Sequence, residues 1–294
     1  MVPSLSIVIP SYARADLLSL CLGTVTRFAP ANAEILVVDD ASREELISRT
    51  ANGFPGVRVV RLPKRSGFCI AANAGVRAAT GAIVELLNDD TEVTLGWAEA
   101  ALRWFADPQI AAVAPLVLQN DPVRRNRGFP PLIDTAGDEY DPGGFARKRG
   151  HGRTVSDEFH SPGPIWGTSA AAGFYRRSAF LDVGGFPEHF GAYFEDVDLA
   201  FRLRRAGFTA WYDPASVVWH RVSASYGQRP GRRTLMQQSC NEERVFWRNV
   251  PVRADIGYLS RHLLVLAGKA LRRMEEGTLV PWTLGRIQAV LQTG

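Results

Sequence analysis

Asp39-Asp40 and Asp89-Asp90 each stand where an apolar run stops, Glu195-Asp196 stands where a helical pattern begins, and His220 closes a later apolar run. Adjacent carboxylates repel one another unless a cation or hydrogen-bond donors stand between them. Hard oxygen ligands of this kind suit Mg2+ or Mn2+, which commonly bridge a protein carboxylate and a substrate phosphate. Plainer roles exist for most of these residues. Acids in a first helical turn favour the macrodipole, Asp39-Asp40-Ala41-Ser42 can cap the helix that follows, and a single histidine at a strand end can be purely structural. Capping needs one acid, however, so the pair Asp89-Asp90 is the one that asks for a ligand.

The elements that must position these residues alternate. Apolar runs at 4–10, 34–38 and 57–62, and the run ending at Leu87, read as buried strands. Helical spacing covers 15–28 (Leu17, Leu18, Cys21, Leu22, Val25), 68–79, where Gly81 supplies a stop, and 97–105; 110–118 reads as extended. Strands alternating with helices predict an α/β fold with a mostly parallel central sheet flanked by helices. Ligands bind such sheets outside the carboxyl ends of the strands, where Asp40 and Asp89-Asp90 fall. No G-x-G-x-x-G follows the first strand and no G-x-x-x-x-G-K-[ST] occurs, which excludes the usual dinucleotide and P-loop frameworks. Glu85, inside the run before Asp89, implies that this strand exposes one face.

Residues 120–165 hold six Pro, seven Gly and mixed charge, and read as a long, partly mobile loop over a site. Beyond it a helix is expected over 194–206, short strands at 209–212 and 217–219, and a helical, Arg-rich tail from Gly231 onward. The expected division is a catalytic domain at 1–225 (a ligand-binding half at 1–119, the loop at 120–165, a second half at 166–225) and a helical C-terminal extension at 226–294.

The 294 residues carry a net charge of +4, unevenly distributed. From Gly227 to the end there are 11 Lys and Arg against 5 Asp and Glu, and in the rest 23 against 25. The body is therefore not a nucleic-acid binder, and an anionic surface is expected near the tail. Residues 258–273 join an apolar face to Arg261, Lys269, Arg272 and Arg273, a pattern suited either to packing on the domain or to peripheral contact with an anionic membrane. Cys21, Cys69 and Cys240 lack metal or disulfide spacing and read as thiols of a reducing cytosol. The first residues lack a charged leader, and no apolar stretch reaches the roughly 18 residues of a membrane span. The expected location is cytoplasmic, at the inner face of the membrane if the tail attaches there.

Seven blocks together resemble a family. They are Ser6 to Tyr12 (SIVIPSY), Ile35 to Ser42 (ILVVDDAS), Gly67 to Gly75 (GFCIAANAG), Leu86 to Thr91 (LLNDDT), Gly184 to Phe186 (GGF), Phe194 to Leu199 (FEDVDL) and Trp219-His220. In this order and spacing, over residues 4 to 222, they are similar to family 2 glycosyltransferases of the GT-A fold, in the bacterial branch with rhamnosyltransferase-like and galactofuranosyltransferase-like members. The resemblance implies an inverting enzyme of hexosyltransferase type that moves a sugar from a nucleotide-diphosphate donor to an acceptor hydroxyl. The acceptor implied is a saccharide or lipid-linked saccharide of cell-surface polysaccharide assembly. Pro10, Ser11, Tyr12, Arg14, Asp40, Arg65, Gly67 and Asp89 would hold the nucleotide-sugar, Asp40 through the base. Asp90 and His220 would ligate Mn2+ or Mg2+. Asp196 would be the general base, kept ionised by its helix N-terminus, with Glu195 orienting the acceptor and Trp166 stacking on a sugar face. Two residues depart from the family pattern: Arg65 stands where Asn is frequent, and Asn88 replaces the first acid of D-x-D, leaving one anionic ligand fewer.

Two other classes compete. A nucleotidyltransferase that makes sugar nucleotides would need a glycine-rich basic loop after the first strand, and here that place reads Ser11 to Asp16 (SYARAD) without glycine. A non-catalytic nucleotide- or carbohydrate-binding protein would have no need of Asp90, Asp196 and His220 together.

Overall fold

The computed structural model describes residues 3–221, 230–250 and 256–292. Strands β1 (Leu5–Ser11), β2 (Glu34–Asp39), β3 (Val57–Arg61) and β4 (Ile83–Leu87) run parallel in the order β4-β1-β2-β3. The chain winds outward from β1 to β3 and then returns to β1's other side as β4. Connections on the two sides of β1 therefore diverge, and a crevice opens beyond the ends of β1 and β4. Ser11 ends one of these strands, and Asp89-Asp90 follows the other.

Two apolar layers sandwich the sheet because its strand residues alternate in direction. In β1, Leu5, Ile7 and Ile9 face one layer and Val8 the other. The first layer holds α1 (Ala15–Phe28), whose Leu18, Cys21, Leu22 and Val25 are buried at helical spacing, with α2 (Leu46–Asn52) and Trp97 of α4 (Trp97–Leu102). The second holds α3 (Phe68–Ala78), α6 (Arg177–Asp182) and α7 (Glu195–Arg205). Gly75 lets α3 lie directly on the sheet: a Cβ there would meet Val8 Cγ1 at 2.3 Å and Val38 Cγ2 at 2.8 Å. Asn73, two residues before it, accepts from Phe186 N (2.8 Å) and donates to Phe186 O (2.8 Å), fastening the Gly184-Gly185-Phe186 turn.

The sheet continues antiparallel through β11 (Ala172–Arg176), which pairs with β4 and with β6 (Ile110–Gln119). Beside β6 runs β12 (Thr209–His220), parallel to it and bordered by β5 (Thr91–Val93) and β10 (Gly163–Ile165). The two short strands expected here are one strand with a register shift between Asp213 and Val217. Asp213, fully buried, accepts from Arg103 and Trp104 at the irregularity. The expected long loop at 120–165 is built of short elements: α5 (Pro122–Asn126), β7 (Ile133–Thr135), which joins β6, and a hairpin of β8 (Asp138–Asp141) and β9 (Phe145–Lys148). These pieces are too short for hydrophobic periodicity to reveal.

Glu85 is not on an exposed face. It is fully buried among the first layer's side chains, and Trp97 Nε1 donates to its Oε1 (3.0 Å) and Oε2 (3.2 Å). Burial pushes its pKa well above the ordinary carboxyl range, only partly opposed by the Trp97 bond. The native state thus keeps a proton that the unfolded chain releases once pH passes the usual glutamate value. This group's contribution is complete in acid and is lost as pH rises, by at most about 1.4 kcal/mol per pH unit. Glu85→Gln keeps an acceptor for Trp97 and removes the titration. Urea unfolding from pH 5 to 8 should show the variant losing less stability with pH than the parent; parallel slopes would contradict a neutral Glu85.

Three helices close the described chain: α8 (Arg232–Asn249), α9 (Ile256–Glu275) and α10 (Leu279–Gln292). Among the described residues no helix is long and apolar enough to cross a membrane.

Candidate active site

The crevice beyond β1 and β4 is built around Ser11. Its Oγ donates to Asp89 Oδ2 (2.6 Å), while its carbonyl accepts from Asp40 N (3.0 Å). On the β2 side, Asp39 and Asp40 divide their work. Asp39 is fully buried and accepts from Ser42, Ser48 and Arg61, so it braces the turn. Burial alone would raise its pKa, but these donors hold it below the ordinary carboxylate range. Asp40 accepts from Ser66 N (2.6 Å) and Gly67 N (2.9 Å), and Arg65 lies 4.1 Å over the Tyr12 ring. Tyr12, Asp40, Arg65 and Gly67 are thus gathered beside the end of β1, with Arg65 stacked on an aromatic face.

At the β4 side the paired acids meet a cation. Arg14 spans both, binding Asp89 and Asp90 Oδ2, the latter at 2.7 Å. Asp89 sits at a pKa of about 6, raised by burial and by the Asp90 charge against the pull of Arg14 and Ser11. Asp90 Oδ1 lies 3.1 Å from His220 Nε2, brought there by the pairing of β5 with the end of β12. His220 Nδ1 lies 2.9 Å from Asp134 Oδ2, and Lys148 Nζ closes on the same carboxylate at 2.9 Å. For His220, burial would lower the pKa, but the flanking Asp134 and Asp90 carboxylates carry it to about 9. For Asp134, burial would raise it, but His151, His220 and Lys148 hold it far below the carboxylate range.

This donor set fits a hard divalent cation. A carboxylate oxygen and an imidazole nitrogen face one another, and a second carboxylate grips the far ring nitrogen, as it does behind metal-bound histidines. Among the described residues no group of three or more His, Cys, Asp or Glu forms a complete cage. Two protein ligands are what Mg2+ and Mn2+ commonly take when substrate phosphates and water complete the shell.

The third acid pair stands across a cavity of about 580 Å³ lined by Pro10, Arg14, Asn88, His220, Glu195 and Asp196, among others. The turn into α7 is strained: Tyr193 and Phe194 have φ of 73° and 67°, rare for side-chain-bearing residues. Asn241 of α8 holds it there, its Nδ2 lying 2.9–3.0 Å from the carbonyls of Phe190, Ala192 and Tyr193. The other first-turn acid, Asp198, faces away to Arg202 and Arg248. Asp196 accepts from Ala170 N (3.1 Å) and Val197 N (2.9 Å). Its carboxyl departs from the expectation of a base kept ionised by the helix terminus: burial raises its pKa, and the two N–H donors only partly oppose this. Glu195 is raised well above its usual range by burial and by the Asp196 charge, and its buried Oε2 has no hydrogen-bond partner. Asp138, from β8, lines the same cavity and is pushed up for the same reasons.

Trp166 does not line this cavity. It stacks on Tyr140 (centroids 5.5 Å apart), meets Phe201 edge-on and carries Arg204 over its face, and it borders a separate pocket of about 10 Å³, too small for a sugar. Its ring packs under α7, and the small pocket that it borders is also lined by Asp196.

A family model, glycosyl transferase family 2, matches residues 6–184. The chain belongs to that family. Two relatives come from Mycobacterium tuberculosis. A pre-mycofactocin glycosyltransferase is 35% identical over 196 residues, 63% of this chain and 37% of that protein. An N-acetylglucosaminyl-diphospho-decaprenol L-rhamnosyltransferase is 27% identical over 249 residues, 78% of this chain and 80% of that one. This family 2 chain thus spans little more than a third of the first relative's length and most of the second's. Two solved structures share its fold: GalNAc-T7 with UDP, GalNAc and Mn2+ (TM-score 0.63, 18% identity, 82% of this chain and 48% of that one) and the mannosyltransferase PcManGT of Pyrobaculum calidifontis with GDP-Man and Mn2+ (TM-score 0.63, 17% identity, 100% and 89%). The fold is GT-A.

Sequence reasoning missed three residues that the fold brings to the candidate site. Asp134, Asp138 and Lys148 all come from the 120–165 segment, and no spacing ties them to His220 or Asp196. The only available signal was the density of charge in a segment otherwise rich in Gly and Pro.

Proposed function

We propose that this chain is an inverting, divalent-cation-dependent glycosyltransferase of hexosyl type. It would take a sugar from a nucleotide-diphosphate donor and attach it to a hydroxyl of a saccharide or lipid-linked saccharide in cell-surface polysaccharide assembly. The observation that carries this reading is the pairing of chemistries on one cavity. Arg14 and His220, on the Asp90 side, line it together with Glu195 and Asp196. The relatives' names support it: one acts on a decaprenol-linked diphosphate acceptor, and solved neighbours hold UDP or GDP-Man with Mn2+.

In this reading Tyr12, Asp40, Arg65 and Gly67 hold the nucleoside, with Pro10, Ser11 and Asp89 beside the ribose and Arg14 on the diphosphate side. Asp90 and His220 would hold the cation, with Asp134 orienting the ring. Bound there, the cation would offset the charge that grows on the departing diphosphate, worth several kcal/mol in the transition state. Asp196 takes the acceptor hydroxyl's proton as that oxygen attacks the anomeric carbon from the face opposite the leaving group, which inverts the configuration. Its raised pKa brings the base nearer to the working pH, where proton transfer is most efficient. Glu195, neutral and with one oxygen uncommitted, is placed to orient the acceptor. The tail helices would put the protein at the membrane periphery, where a lipid-linked acceptor resides.

The test is release of nucleoside diphosphate by the purified chain with Mn2+ or Mg2+ across donor sugars and acceptors. Metal-dependent release supports the reading. Pyrophosphate release from a nucleoside triphosphate and sugar phosphate would replace it with sugar-nucleotide synthesis.

A further inference from the structure

The cavity does not end at Asp196. Its lining continues onto the β8-β9 hairpin and the C-terminal helices, through Phe145, Arg147, Lys269, Arg272, Arg273 and Trp282. Four of these six are cations, Arg147 from β9 and Lys269, Arg272 and Arg273 from α9. Glu242 is the acid on this wall, and it is already engaged by Lys269 and Arg286. The partners of Arg147, Arg272 and Arg273 are acids at the surface: Glu139 at 2.5 Å and Glu276 at 2.8 Å from each of the two α9 arginines. Exposed pairs of this sort are worth about 1 kcal/mol or less and exchange readily for a stronger anion. Arginine's planar fork matches a phosphate in two-point geometry.

The surroundings of this cationic wall are apolar. Phe145 lies under the Lys269 ammonium at 4.3 Å, and Trp282 is buried beside it in the cavity lining. On the outward face of α9, Leu259, Leu263, Leu264, Leu271 and Met274 are all exposed. Successive helix residues advance by about 100°. These side chains therefore fall in one uncharged arc roughly 140° wide, with Glu275, Arg261 and Arg272 along one border and Arg273 along the other. The wall is tied to the hairpin by a buried contact, His262 Nδ1 with the Gly143 carbonyl at 2.8 Å, so it is a built surface of the cavity.

We infer that Arg147, Lys269, Arg272 and Arg273 form a second anion subsite, separate from the donor diphosphate, that takes the phosphate or diphosphate of an amphiphilic acceptor whose apolar chain leaves along the exposed arc of α9. This rests on the glycosyltransferase reading above and names the acceptor class within it: a lipid phosphate rather than a free saccharide. The lipid would arrive in the plane of the membrane, with its phosphate in the cavity and its hydroxyl-bearing head directed toward Asp196.

Thermal shift on the full chain tests this, with farnesyl diphosphate as probe, in the presence and absence of saturating UDP or GDP and Mn2+. Farnesyl diphosphate should raise Tm on top of the nucleotide, while farnesol and inorganic pyrophosphate at equal concentration should not. Arg272→Ala/Arg273→Ala should weaken the probe at least tenfold without altering nucleotide affinity, and Arg272→Lys/Arg273→Lys should recover part of it. Displacement of nucleotide by the probe, or equal binding to the Ala double variant, overturns the subsite. Sedimentation with phosphatidylglycerol–phosphatidylcholine vesicles separates the two sources of lipid phosphate. A double variant that loses the vesicles yet keeps farnesyl diphosphate means surface attraction to the bilayer alone, which also overturns the subsite. Failure of every nucleotide to bind would sink the donor reading while leaving the probe comparison intact.

Discussion

Asp196→Asn should lower turnover by about 10²–10⁴-fold, the range expected for losing a general base, while donor affinity stays within about threefold. The reasoning is geometric. Asp196 lines the cavity, accepts from Ala170 N at 3.1 Å, and lies on α7, whereas the donor-side groups come from the ends of β1 to β4 and the segments that follow them. An amide cannot take the proton of an attacking hydroxyl, but it leaves those strands untouched. One of its faces would present N–H to a backbone N–H, so a folding control is needed: an unchanged Tm and unchanged nucleotide binding in the variant. Glu195→Gln separates the pair. Glu195 is held neutral by burial, so its amide should preserve most of the turnover number and act chiefly on acceptor KM. Full turnover by Asp196→Asn, or a larger loss of kcat in Glu195→Gln than in Asp196→Asn, would remove Asp196 from the role of base.

The second large effect is expected at the cation side. His220→Ala should weaken Mn2+ binding, measured by titration with nucleoside diphosphate present, by at least a hundredfold. Asp134→Ala should weaken it by about 10–100-fold, the usual cost of losing the group that orients a liganding histidine. Asp134 can reach the site only through the ring, at 2.9 Å from Nδ1, so its variant should alter metal affinity while sparing nucleotide binding measured without metal. Lys148 is the internal control. It neutralises Asp134 from the other side, and Lys148→Met should leave the histidine in place and change Mn2+ affinity less than Asp134→Ala does. Equal Mn2+ affinity in the parent and in His220→Ala would exclude this histidine as a ligand.

The sheet and its flanking helices were legible in the chain because their cores repeat. Leu18, Cys21, Leu22 and Val25 recur at helical spacing, and Ile7, Val8 and Ile9 fill a strand buried on both faces. Acids placed where such runs stop could be named from the sequence, because few buried strands end on two charges. Burial of a charge could not be read in this way. Glu85 looked like a surface residue because its neutral state depends on Trp97, which packs over it from another element. Which cavity the Trp166 ring borders was equally beyond the sequence, because Tyr140 and Phe201 reach it from other elements.

What the sequence determined by itself was therefore the alternation of strands and helices, the family and the acids at the strand ends. Local periodicity and short motifs need only neighbours along the chain. The tertiary structure alone decided the rest: Asp134 arriving 86 positions from His220, Lys148 and Asp138 entering from short strands without periodicity, and Asn241 of α8 supporting the strained Tyr193-Phe194 turn. These contacts are hydrogen bonds and ion pairs between distant segments. Their geometry follows from how the layers pack, and no spacing along the chain encodes it.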